Sequence, residues 1–144
     1  MNKENAINFK IAKIETLQFA ILQESVNENA LEIESAFGFG IDADLKMVRT
    51  SFEYRMLSDK NIALTIEAAV IFEIEANCFD TVLDKDAAWI IPKEFAMHMA
   101  MTVVSVTRGI LHEKTRSTDF NKYPLPTIDV QRVVNNDFVI EKNG

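Results

Sequence analysis

Cys78 is the single cysteine of the 144-residue chain and His98 and His112 are its two histidines, so thiol or imidazole chemistry has to run through these three residues. A thiolate beside an imidazole makes a nucleophile and a base. No oxyanion-hole motif adjoins Cys78, however, and a lone cysteine is more often a buried packing residue. His98 and His112 stand fourteen residues apart. On a helix this separates them by about 21 Å, too far to share one metal ion. Gly38-Phe39-Gly40 is a fragment of a phosphate-loop pattern lying inside a strand-like stretch, where glycine marks a bulge or a close backbone approach. No metal, cofactor or catalytic constellation emerges, and a protein without enzymatic activity is expected.

Two further groups are better placed to act by contact. Glu32, Glu34, Glu53, Glu67, Glu73 and Glu75 fall at alternate positions of strand-like segments. Acid–base catalysis needs such groups in a cleft, whereas these belong to a sheet surface that serves either solubility or the docking of a basic partner. Met97, Met99 and Met101 crowd a short stretch beside Phe95. Flexible thioether side chains of this kind fill a core or adapt to an irregular partner.

The elements that position these groups are legible in the hydrophobic periodicity. Ile7, Phe9 and Ile11, then Leu17, Phe19 and Ile21, share one parity around Lys13 and Glu15, as in a long or bulged strand. Leu31, Ile33, Phe37, Phe39 and Ile41 alternate strictly in a second strand. A turn at Asp42-Ala43-Asp44 leads to a third, with Val48, Thr50, Phe52, Tyr54 and Met56 on one face. Ser58-Asp59-Lys60-Asn61 gives a tight hairpin into a fourth, which carries Ile62, Leu64, Ile66, Ala68, Val70, Phe72 and Ile74. Residues 80–86 read as polar. Pro92 then opens a helix in which Phe95, Met99, Val103, Val106 and Ile110 form one apolar row and Met97, Met101 and Val104 a second beside it. The helix is expected to continue through Gly109 toward Arg116, despite a glycine penalty of about 1 kcal/mol. Two apolar rows cover a sheet and something else, and a second subunit is the simplest cover, with Met97, Met101 and Val104 at the oligomer interface. Four strands joined by short turns and followed by a helix make an α+β fold, a four-stranded antiparallel sheet with the long helix on one face. No room exists for the crossover helices of a parallel nucleotide-binding sheet.

Composition agrees with one domain over residues 1–144. It is 48% hydrophobic with 4 glycines and 3 prolines, which suits a packed core rather than a disordered chain. Fifteen basic residues against 22 acidic ones give a net charge of −7, a poor match to nucleic acid or anionic lipid. The first residues, Met1-Asn2-Lys3-Glu4-Asn5-Ala6-Ile7-Asn8, carry no secretory apolar region, and the run Ala68-Ala69-Val70-Ile71-Phe72 is far below membrane-spanning length. Neither secretion nor membrane insertion is expected.

Three stretches resemble the SecB family of export chaperones. Phe9-Lys10-Ile11-Ala12-Lys13-Ile14 looks like that family's opening strand. The segment from Pro92 through Thr102-Val103-Val104-Ser105-Val106-Thr107-Arg108-Gly109 is similar to its proline-initiated helix ending in Arg-Gly. Tyr123-Pro124-Leu125-Pro126-Thr127-Ile128-Asp129-Val130 looks like its aromatic–proline segment. The resemblance implies an ATP-independent holdase that is a homo-oligomer, dimer or tetramer, and keeps unfolded or precursor polypeptide extended in its grooves. Delivery to the SecA motor or service to a toxin–antitoxin system is implied with it. The client-binding residues it suggests are Phe37, Phe39, Phe52, Tyr54 and Tyr123, with Phe72 in the same aromatic alternation, forming an apolar surface on the order of several hundred Å². By face, Glu32, Glu34, Glu53 and Glu73 are its candidate partner-docking residues. Segment 111–122 is longer than the family's link, and no second amphipathic helix follows Val134, which leaves the motor contact and part of the groove open. Two other readings stand beside this one: a small-ligand protein or enzyme with a pocket between sheet and helix, and a structural oligomer that has lost its client.

Overall fold

The computed structural model describes residues 7–142, so Met1–Ala6, part of the N-terminal segment read above, lies outside the described residues. Four antiparallel strands dominate the fold: β1 (Phe9–Ile21), β2 (Leu31–Asp42), β3 (Met47–Ser58) and β4 (Asn61–Ile74). They lie in the order β1-β4-β3-β2, which puts the two most buried strands in the middle. The β3–β4 connection is a two-residue turn whose Asp59 and Lys60 take φ values of 53° and 68°. Left-handed backbone at both positions gives a hairpin the twist its strands need, and here no glycine supplies it.

The register of β1 explains its imperfect alternation. It slips against β4 between Ile11 and Lys13 and again between Thr16 and Gln18, so that Ala12 and Leu17 are each an extra residue. A bulge reverses which parity faces inward. Phe9 and Ile11 therefore share a face with Ile14 and Thr16, and then with Phe19 and Ile21. A strictly alternating strand would have turned Ile14 outward and Leu17 inward.

β4 runs into a helical turn, α1 (Ala76–Cys78), continued by a wider π-type turn over Phe79–Leu83. Phe79 and Leu83 are buried there, so the segment read as polar is a plug for one end of the core. A second small sheet was not legible in the sequence: β5 (Ala88–Ile91) pairs antiparallel with β6 (Phe138–Glu141), far away in the chain. Between them runs the long helix α2 (Lys93–Lys114), and α3 (Val130–Val133) is a single turn. The backbone N–H of Lys93, at the start of α2, donates to Asp137 Oδ1 at 2.8 Å, so the chain just before β6 caps the helix.

α2 buries Phe95, Ala96, Met99, Ala100, Val103, Val104, Thr107 and Leu111, and it packs on β3 and β4. The core thus lies between this helix and the two central strands, around Phe52, Tyr54, Ile66, Val70 and Phe72. The expected α+β arrangement is the one observed. The aromatic residues expected to meet a client divide, however. Phe52 is 0% and Tyr54 1% exposed, and Phe72 is likewise fully buried. Alternation in a sequence reveals which face is apolar but not which strand the helix covers, and β3 and β4 are the covered ones. Val104, expected at a subunit interface, is similarly turned into the core of its own chain, with 4% of its surface exposed.

Candidate client-binding and docking surfaces

The helix leaves a strip of sheet bare on either side. An α-helix is about 10 Å across, whereas the outer strands of a four-stranded sheet stand roughly 14 Å apart. One helix laid over the central pair cannot reach both margins. On β1 the consequence is that Ile11 and Ile14 are about half exposed, and on β2 it is the same for Ile33, although all three point to the helix side of the sheet. Met101 stands out from the opposite face of α2, 57% exposed, with Met97 partly covered beside the same stripe. Ile11, Ile14, Ile33 and Met101, with Leu22, Leu45, Val133 and Val139 elsewhere on the surface, are the large apolar side chains that the fold leaves most open, rather than the full aromatic set.

The remaining expected aromatics lie at the margins of the core. Phe37 tilts against Phe52 at 4.9 Å between ring centroids, and Phe39 tilts against Phe138 of β6 at 4.7 Å, where the second sheet touches β2. Tyr123 is half-buried beside Val26 and Phe120, where a small cleft of about 70 Å³ opens. Its hydroxyl donates to Glu28 Oε1 at 2.7 Å, and Lys122 Nζ lies 3.4 Å from the same oxygen. The hydrogen bond from Tyr123, reinforced by Lys122, holds the Glu28 carboxyl below its ordinary range, and the same bond raises the Tyr123 phenol. Arg108 of α2 donates to the carbonyls of Leu125 and Pro126 at 3.3 and 3.1 Å. The proline segment is therefore tied to the helix at one point and to the β1–β2 connection at another.

The outer face of the sheet is charged but not uniformly acidic. Glu32, Glu34, Glu53, Glu67 and Glu73 share it with Arg49, Arg55 and Lys10. Glu53 pairs with Arg55 at 2.9 Å and Glu73 with Lys10 at 3.2 Å, so two of the four expected docking carboxylates already have cations. Glu32 and Glu34, both exposed on β2, have no lysine or arginine within ion-pair distance among the described residues. Glu75 stands past the end of β4, where it accepts from Asn8 Nδ2 at 2.9 Å.

Cys78 is buried, and His98 lies against the ring of Phe9, with 5.3 Å between centroids. His112 is near the far end of α2 beside Asn121. The three share no site, and no cluster of potential metal ligands occurs among the described residues. Two open clefts of about 400 Å³ lie at opposite ends of the sheet, one lined by Phe9, Lys46 and Glu73 and the other by Leu22, Thr118 and Phe120. Neither runs between sheet and helix. No helix among the described residues is long and apolar enough to cross a membrane.

The chain matches no family model and no curated protein sequence. Among solved structures it is similar to the SecB-like chaperone Rv1957 of Mycobacterium tuberculosis, determined in complex with a ChAD peptide from the Rv1956 HigA1 antitoxin. The TM-score is 0.49 at 19% identity, over 83% of this chain and 90% of that one. The structural similarity to a SecB-like chaperone is distant. A protein of unknown function from Streptococcus agalactiae is also similar, with a TM-score of 0.42 and 10% identity over 86% of this chain and 98% of that one.

Proposed function

We propose that this protein is an ATP-independent holdase of SecB-like type, which covers apolar segments of unfolded polypeptide and has no catalytic chemistry of its own. The observation that carries the reading is the pair of bare apolar margins flanking α2, with Ile11 49% and Ile14 51% exposed on one and Ile33 52% on the other. Apolar surface on the inward side of a sheet is normally covered, and a margin left open by the width of a single helix is available to another chain. Clients would bind by burial at roughly 25 cal/mol per Å², with broad rather than sequence-specific affinity. Phe37, Phe39 and Tyr123 would contribute at the edges of these margins. Phe52 and Tyr54 would support them from below. Met97 and Met101 on the free face of α2 would carry contacts between copies in a homo-oligomer, and the protein would act in the cytoplasm. Glu32 and Glu34 are better suited to a basic partner than Glu53 and Glu73, whose charges are met within the sheet.

The test is suppression of aggregation of a slowly folding client without ATP. Equimolar protein is expected to keep the client soluble, and variants of Cys78, His98 and His112 that remain folded are expected to do so equally well. Absence of capture at every ratio would reject the reading and favour a structural oligomer.

A further inference from the structure

The outward face of α2 carries almost no charge. Glu94, His98, Met101, Ser105, Gly109 and His112 recur at three- and four-residue spacing and are all exposed, so they form one stripe opposite the buried face of the helix. Between Glu94 and Glu113 the only lysine or arginine is Arg108, which is spent on the carbonyls of Leu125 and Pro126. The solvent face of a helix normally carries charged side chains. Two copies of a chain with a net charge of −7 can meet along this stripe without opposing carboxylates.

The spacing also makes the stripe complementary to itself. In an antiparallel pair of α2 helices related by a two-fold axis at Ser105, residues equally far before and after Ser105 lie at the same level. Met101, four residues before, then meets Gly109 of the second copy, four after, where no side chain stands and the space is open. His98, seven before, meets His112 of the second copy, seven after. The axis generates two such histidine pairs, about 21 Å apart along the seam. Each has a carboxylate beside it, because Glu94 precedes His98 by one helical turn.

The imidazoles are free to act as ligands. His98 packs against Phe9, and neither of its ring nitrogens has a hydrogen-bond partner among the described residues. At His112 only Nδ1 is approached, by Asn121 Nδ2 at 3.5 Å, which leaves Nε2 open. Helices in contact stand about 8–10 Å apart, a gap that two imidazoles span with one ion between them. Two nitrogens and a carboxylate oxygen, with water in the fourth position, make a tetrahedral set of the kind zinc accepts.

Building on the contact between copies assigned above to this face, we propose that α2 pairs with itself about Ser105 and that each end of the seam holds a divalent transition-metal ion between Glu94 and His98 of one copy and His112 of the other. Neither copy holds the site alone. The ion reinforces assembly and takes no part in client capture.

The probe is zinc alone, titrated by calorimetry into the intact, metal-free protein. One ion per chain is expected. His98→Ala and His112→Ala should each weaken binding about tenfold or more, and Glu94→Ala should weaken it less. All three side chains are exposed, so the variants should fold. An equimolar mixture of the two histidine variants should recover tight binding, because a mixed pair unites the intact His98 of one chain with the intact His112 of the other. Zinc should also raise the assembled fraction of dilute unaltered protein in light scattering, and a chelator should reverse the change. Absence of zinc binding, an affinity unchanged in any of the three variants, or no recovery in the mixture would overturn the metal site. Mass without metal separates the two ideas. If the metal-free protein is assembled and Met101→Asp reduces its assembly while these tests fail, the metal site alone is wrong; if the protein is a monomer with and without zinc, the contact between copies falls with it.

Discussion

Tyr123 and Glu28 join two parts of the chain far apart in sequence through one exposed hydrogen bond of 2.7 Å. Because that bond, followed by Lys122, lowers the pKa of Glu28 in the folded protein, its contribution to stability is present above the carboxyl's unfolded value and is lost as pH falls through the lower folded value. Tyr123→Phe is expected to raise the Glu28 titration midpoint toward that of an ordinary glutamate, as read by NMR of the side-chain carboxyl. The stability difference between the two proteins should shrink in acid, where Glu28 is protonated in both. An unchanged midpoint would mean that the bond is not populated in solution. The tie was not evident in the sequence, since nothing in Glu28 or Tyr123 announces a partner in a distant segment.

At the scale of elements, α2 combines a face committed to its own sheet with one that is free. Met101→Asp is expected to leave the chain folded, because that side chain is largely in solvent, yet to reduce assembly measured by light scattering. Val104→Asp should instead cost several kcal/mol of folding stability, seen in urea denaturation, since it would place an unpaired charge in the core. Gly109 is exposed within this helix, and a Cβ built there meets no other atom within 4 Å. Gly109→Ala should therefore stabilise the protein by about 1 kcal/mol, with a higher midpoint in the same denaturation experiment. The spacing of Phe95, Met99 and Val103 made this helix legible. Its assignment of Val104 to a partner surface failed because an apolar row gives an angle around the helix axis, not the width of the sheet beneath it.

For the molecule as a whole, the balance between apolar and charged contacts separates its two proposed surfaces. Client capture on the margins beside α2 should survive moderate salt, whereas attachment of a basic partner through Glu32 and Glu34 should weaken as salt is added. Titrating salt in both assays, with oligomer mass followed in parallel, measures this directly. Client capture that vanishes with salt while the assembly stays intact would assign the binding to charge instead. The same apolar margins argue against a particle of monomer mass at micromolar concentration.

The sequence by itself determined the four strands, their short connections and the helix after Pro92, because each repeats apolar residues at the period of its own backbone over many residues. It also placed Glu32, Glu34, Glu53 and Glu73 on one face of the sheet. Tertiary structure brought Lys10 of β1 to Glu73 of β4, whereas Arg55 meets Glu53 along the same strand. It alone joined β5 to β6, whose four-residue strands are too short for a periodic signal. It also separated buried Phe52 and Tyr54 from open Ile11, Ile14 and Ile33. All five face the helix side, and only the order of the strands under a helix narrower than the sheet determines which of them it covers.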